Sequence, residues 1–207
     1  MRKLLVVLVL LGTFAGLALA DTLVLQPAAE GKDAHVRSLG GTSNYGSYAY
    51  LTVNWSPAQE GRGLVQFEGL SAIPAGSTIT SAILELYSYA NNPNDNYTIN
   101  RITATWVEMT VTWDNQPAHD PTPAATVLVA GAGTYSWTIT ALVQAWVTGT
   151  YQNYGFKLIR PSGAMTSQPY FCSSDNTTYA KPKLTVIYTP GSAVAPASLG
   201  RVKAAFK

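Results

Sequence analysis

Between residues 22 and 189 the chain is a succession of short extended runs that Gly, Pro, Asn and Asp interrupt. Inside the runs apolar and polar residues alternate. Leu51, Val53 and Trp55 alternate with Tyr50, Thr52 and Asn54, and Ala82, Leu84 and Leu86 with Ile83, Glu85 and Tyr87. Side chains two apart share a face of a strand, so each run has one face for a core and one for something else. Many short half-buried strands with turn signals between them point to an all-β, antiparallel sandwich or jelly roll. The runs used below are Ala49–Trp55, Thr78–Tyr89, Tyr97–Val107 and Val111–Trp113. In Tyr97–Val107 the apolar parity changes between Ile99 and Ile102, which predicts a bulge near Asn100.

One segment breaks the alternation. Ile139, Leu142, Val143 and Trp146 repeat at helical spacing and predict one short helix over about residues 140–148, with Thr140 as cap and Gly149 as stop. The segment TWVEMTVTWDNQPA, Thr105 to Ala118, holds Trp106 and Trp113 as core anchors around a corner.

Arg2 and Lys3, the apolar run Leu4–Leu19 and Ala18-Leu19-Ala20 read as an export signal over residues 1–20. The domain is expected over 21–189, followed by a linker and a basic amphipathic tail over 190–207. No membrane span is expected once the signal is cleaved, because no other apolar run is long enough. Without Arg2 and Lys3 the chain carries 11 basic and 11 acidic side chains. Three of those basic groups sit in the tail, so the body is acidic and lacks a nucleic-acid footprint. Cys172 is the single cysteine, which excludes an internal disulfide.

The ordered set of local motifs resembles the DNRLRE (disaggregatase-related) family, grouped with carbohydrate-binding modules. The matching pieces are Asn44-Tyr45-Gly46-Ser47, Leu64 to Thr80, Ser81 to Tyr87, Trp106 with Glu108, and Val111 to Pro117. Leu142 to Trp146 with Gly149, Asn153 to Phe156, and Pro182-Lys183-Leu184 complete the set. The resemblance implies a β-jelly roll that serves as an extracellular binding or adhesion module.

Catalytic motifs are absent from the sequence. His35 and His119 are the two histidines, and neither sits in a nucleophile motif. Glu85 and Glu108 read as a strand carboxylate and a turn hydrogen-bonder rather than a glycosidase pair. No catalytic residue and no cofactor is expected, apart from a structural Ca²⁺ that Asp33, Asp95 and Asp175 would hold.

Sugar binding needs exposed aromatic rings with carboxamides nearby. Tyr87, Tyr89 and Tyr97 with Asn92 and Asn94 form one candidate edge, on the reading that the strands around 90–96 make a hairpin. Tyr45 and Tyr48, with Tyr50, form a second. The expected role is a secreted or cell-surface, non-catalytic module for a polysaccharide or cell-surface glycan. The alternative is a self-associating subunit of an extracellular fibre, sheath or matrix, which low net charge would favour. A polysaccharide lyase is a more distant third reading.

Overall fold

The computed structural model describes residues 19–27, 31–89, 94–161 and 170–191. Nearly all of the expected export signal, Asn92, and the tail after residue 191 lie outside these. In chain order the strands are β1 (Asp21–Leu25), β2 (Lys32–Arg37), β3 (Tyr50–Thr52), β4 (Trp55–Ser56), β5 (Gln59–Gln66) and β6 (Thr78–Ser88). They continue as β7 (Asp95–Arg101), β8 (Ala125–Val129), β9 (Gly133–Thr138), β10 (Phe156–Ile159), β11 (Tyr170–Cys172) and β12 (Lys183–Thr189). One α-helix, α1 (Thr140–Val147), follows β9.

The strands form two antiparallel sheets, the sandwich that the alternation predicts. The first runs β1-β12-β6-β11-β3, with β9 on the other edge of β6; the second runs β2-β5-β10-β7-β8, with β4 beside β5. The inner faces are the apolar parities. Ala82, Leu84, Leu86, Leu184, Val186 and Phe171 meet Val65, Phe67, Tyr97, Ile99, Phe156 and Leu158. Each fully buried aliphatic or Phe side chain here contributes roughly 1.5–3 kcal/mol. Trp137 is fully buried among them, and its Nε1–H donates to the Tyr97 carbonyl at 3.0 Å, which ties β9 to β7 across the sandwich. Helix α1 packs along β6 and buries Leu142, Val143 and Trp146. Thr140 makes no cap; its hydroxyl instead accepts from the Ala82 N–H at 3.0 Å, pinning the helix start to β6.

Three expectations are corrected. The segment from Tyr97 pairs with β10 in continuous register and contains no bulge at Asn100. Its parity changes because the second sheet is covered on both faces. Tyr97 and Ile99 face the main core, while Ile102 joins Ala34, Val36, Leu64, Trp106 and Val111 in a second apolar cluster. The strand ends at Arg101, and Val111–Trp113 lies in a loop leading into a turn rather than in a strand. The 102–118 segment folds over the sheet as an ordered loop. Trp106 donates to the Tyr154 carbonyl at 2.9 Å, and Asn115 bonds Thr112 and Thr110. Trp106 is buried there, while Trp113 is half-buried with the Arg62 guanidinium 4.8 Å above its ring.

The hairpin expected around residues 90–96 does not form. β6 belongs to the first sheet and β7 to the second, so the chain crosses the sandwich between them.

Candidate functional site

The outward parity of the first sheet is aromatic. On β6, Tyr87 alternates with the buried Leu86 and Ser88, and Tyr89 follows at the strand's end. On β11, Tyr170 alternates with Phe171, and on β3, Tyr50 alternates with Leu51. Antiparallel pairing of β11 with both neighbours sets these rings side by side. Tyr50 and Tyr170 meet with centroids 4.8 Å apart, and Tyr89 and Tyr170 at 5.7 Å.

Two loops extend the row. Tyr179 lies on the segment between β11 and β12. Asn176 shapes that segment: its Oδ1 accepts from the N–H groups of Thr178 and Tyr179, and its Nδ2 donates to the Ala49 carbonyl. Tyr179 then lies near-parallel to Tyr89 at 5.5 Å and to Tyr87 at 5.2 Å. At the other end, Asn44 donates to the carbonyls of Glu108 and Val111 and anchors the Asn-Tyr-Gly turn. Gly46 lies so close to the Glu108 main chain that no side chain fits. The turn delivers Tyr45 and Tyr48, whose rings meet at 5.1 Å, while Tyr48 meets Tyr50 at 5.6 Å. His35 lies beneath, stacked on Tyr45 at 4.4 Å, with Nδ1–H donating to the Tyr50 carbonyl at 3.1 Å.

Seven tyrosines thus make one continuous row across three strands and two loops. Tyr48 and Tyr179 are the most open, at 41% and 46% exposure. One cation reaches the row, the Arg37 guanidinium 6.0 Å over the Tyr45 ring. Burial, reinforced by Arg37, holds the His35 imidazole down at about 4, so the ring is neutral. Burial, then the neighbouring Cys172 and tyrosine rings, pushes the Tyr89 phenol up to about 12. Such a row offers ring surface for apolar C–H faces and neutral phenol groups that both donate and accept.

The two tyrosine candidates from the sequence therefore meet in one surface row, which includes Tyr45, Tyr48, Tyr87 and Tyr89. Tyr97 does not. It is fully buried between the sheets, because it shares the inward parity of Ile99. Asn94 is exposed just before β7 of the second sheet. Tyr170, Tyr179 and His35 were missed. Alternation against Phe171 could have found Tyr170; no local pattern marks Tyr179 or His35.

The metal trio is also taken apart. Asp95 is ion-paired with the buried Arg160 at 2.8 Å. Asp33 and Asp175 lie near Glu108 instead, and among the described residues no three His, Cys, Asp or Glu side chains converge on one point. Glu85 is ion-paired with Lys183. Burial pushes the Cys172 thiol up to about 12, as suits an inert core residue. Among the described residues, no helix is long and apolar enough to cross a membrane.

Two antiparallel sheets closed over an apolar core, with an aromatic row on one outer face, define a β-sandwich. The chain belongs to carbohydrate-binding module family 96, whose model matches residues 25–188. That match carries the carbohydrate-binding part of the resemblance drawn from the motifs, not the DNRLRE name. A search of the curated proteins found no match to the chain.

Proposed function

We propose that this protein is an exported, non-catalytic module that binds a polysaccharide along the tyrosine row of its first sheet. The observation that carries this reading is the continuity of the row. Tyr45, Tyr48, Tyr50, Tyr170, Tyr89, Tyr179 and Tyr87 follow one another with centroid spacings between 4.8 and 5.7 Å along the path. An elongated row suits an elongated ligand, and its ring faces suit the C–H faces of sugars, with the Arg37 guanidinium over Tyr45 at one end. Glu85 and Glu108 are engaged by Lys183 and by the Asp33 N–H, which leaves neither poised as an acid–base pair.

The test is affinity electrophoresis of the full mature chain in gels containing neutral or acidic polysaccharides. Tyr50→Ala with Tyr179→Ala should abolish retardation while the Tm is kept within a few degrees. Unchanged retardation of that double variant would remove the row from the binding site. Sedimentation of the same sample reads the fibre alternative: polymers without glycan retardation would replace the present reading.

A further inference from the structure

A hollow of about 500 Å³ opens where the end of β5, the short 3₁₀ turn Gly69–Ala72 and the end of α1 meet. Its volume is that of a small-molecule site, and none of its lining residues belongs to the tyrosine row. Two of those residues carry buried polar atoms that the fold leaves unanswered. Trp146, on α1, is 8% exposed, and its Nε1–H has no acceptor. Gln66, at the end of β5, donates through Nε2 to the Asn153 carbonyl at 3.1 Å, which sets the direction of its amide; its Oε1 has no donor. Buried polar groups are normally paired, because an open one has lost its water for nothing. The other two buried indoles obey this rule: Trp106 donates to the Tyr154 carbonyl and Trp137 to the Tyr97 carbonyl. Trp146 is the exception, and it lines a hollow.

The remaining walls say what kind of molecule answers them. An open donor and an open acceptor around one hollow match hydroxyl groups, which both donate and accept. Tyr151 brings an aromatic ring with 43% of the residue exposed. The Arg101 guanidinium packs on that ring at 3.9 Å and is itself ion-paired with Asp120 at 3.1 Å, which holds the ring in place. Asn153 is fixed as well: its Nδ2 donates to the Phe67 carbonyl at 2.7 Å, and its Oδ1 accepts from the Gly155 N–H at 3.0 Å. Such a wall is ordered before a ligand arrives, which lowers the cost of binding. Among the residues that line the hollow, Glu68 is the one charged group, and it is exposed.

We infer that this hollow is a second carbohydrate site, separate from the row, which takes a single neutral pyranose unit such as the end of a chain. Gln66 and Trp146 bond its hydroxyls, Tyr151 meets its C–H face, and Glu68 accepts from a further hydroxyl. A lining with one carboxylate and no cation disfavours uronate, sulfated and phosphorylated sugars. The class of ligand rests on the glycan reading above; the place of the site does not rest on the row.

NMR of the full mature chain labelled with ¹⁵N-tryptophan tests it. The five tryptophans give five indole N–H signals, and Trp146→Phe identifies the one that matters. Methyl glucoside, methyl galactoside and methyl mannoside are the probes. At least one should shift the Trp146 signal saturably, with a Kd of about 1–10 mM for so small a ligand, and leave the Trp137 signal in place. Methyl glucuronide should not shift it. Gln66→Met and Tyr151→Ala should each weaken the effect about fivefold or more. Tyr151 is exposed, so its variant keeps the fold and decides alone if Gln66→Met does not fold. The site is overturned if all three neutral probes leave the Trp146 signal flat, in which case an ordered water answers the two atoms. It is also overturned if the glucuronide binds equally well or if Tyr151→Ala keeps the wild-type Kd. The double variant Tyr50→Ala with Tyr179→Ala separates this site from the row. A shift retained there supports the hollow whether or not retardation in polysaccharide gels is lost; a shift lost there assigns the sugar to the row and overturns the hollow. A wild-type chain that is retarded without any shift overturns the hollow and leaves the row standing.

Discussion

The Tyr89 and Tyr179 rings lie 5.5 Å apart and within 12° of parallel, although one ends a strand and the other rides a loop that Asn176 ties to Ala49. Tyr179 is nearly half exposed, so its removal should cost little stability, within about 0.5 kcal/mol. A ring stacked on a sugar should contribute about 1 kcal/mol, comparable to an aromatic pair. Tyr179→Ala is therefore expected to weaken polysaccharide binding roughly fivefold with an unchanged Tm. Calorimetry on a soluble oligosaccharide that the module retains would measure it, and wild-type affinity in that variant would count against the row.

Tyr97 gives the opposite prediction. Its ring is buried between the sheets, and its hydroxyl has no hydrogen-bond partner. Tyr97→Phe removes a stranded polar group without opening a cavity. The variant should be neutral to about 1.5 kcal/mol more stable, with glycan binding unchanged. Trp137→Ala, which leaves a large void and deletes the bond to the Tyr97 carbonyl, should cost about 3–5 kcal/mol. Urea unfolding of the two variants compares them directly; a destabilised Tyr97→Phe would show that the hydroxyl is satisfied in solution.

The contrast between Tyr89 and Tyr97 also marks what could be read from the chain. Alternation against Leu84 and Leu86 correctly turned Tyr87 and Tyr89 outward, because burial of one strand face is a local property. The same rule, applied to Ile99, would have turned Tyr97 inward. A hairpin of strands adjacent in sequence conflicts with that parity, and β6 and β7 lie in opposite sheets. Partner choice is non-local, and period-2 patterning is silent on it. The 102–118 segment failed for a related reason: Trp106 and Val111 are buried as expected, but in a loop over the second sheet rather than in a strand. Helix α1 was legible because its stripe and its length are both local. The metal trio failed because Asp95 had a distant partner, Arg160, that only the fold could reveal.

Two glycines with similar backbone angles should respond differently to alanine. Gly131 has φ +78° and open space where a side chain would go, so Gly131→Ala should cost about 1–2 kcal/mol, the strain of the left-handed conformation. Gly155 has φ +81°, and a Cβ there would run into the Val65 carbonyl and the Gln66 main chain of β5. Gly155→Ala adds that collision at the junction of β5 and β10 and should cost more than about 3 kcal/mol. Equal shifts of the urea midpoint for the two variants would show that the β5–β10 junction yields easily.

Lys157 on β10 makes stability depend on pH. Only 1% of its surface is exposed, and its Nζ donates to Gln116 Oε1 at 2.7 Å, an oxygen that Arg62 also approaches at 3.3 Å. Burial first, then the Arg62 charge, lowers the ammonium to about 7, with Glu60 opposing. Between about pH 7 and 10.5 the unfolded chain therefore binds a proton at this lysine that the folded chain has released. Stability must rise with pH through that window and carry the full penalty below about 7. At 1.36 kcal/mol per unit, the gain from pH 7 to pH 9 is on the order of 2 kcal/mol. Lys157→Met keeps the chain length, removes the charge, and should flatten the slope while stabilising the protein at pH 7. Chemical denaturation at pH 7, 8 and 9 reads both variants; a wild-type slope that persists in Lys157→Met would assign the pH dependence to another group.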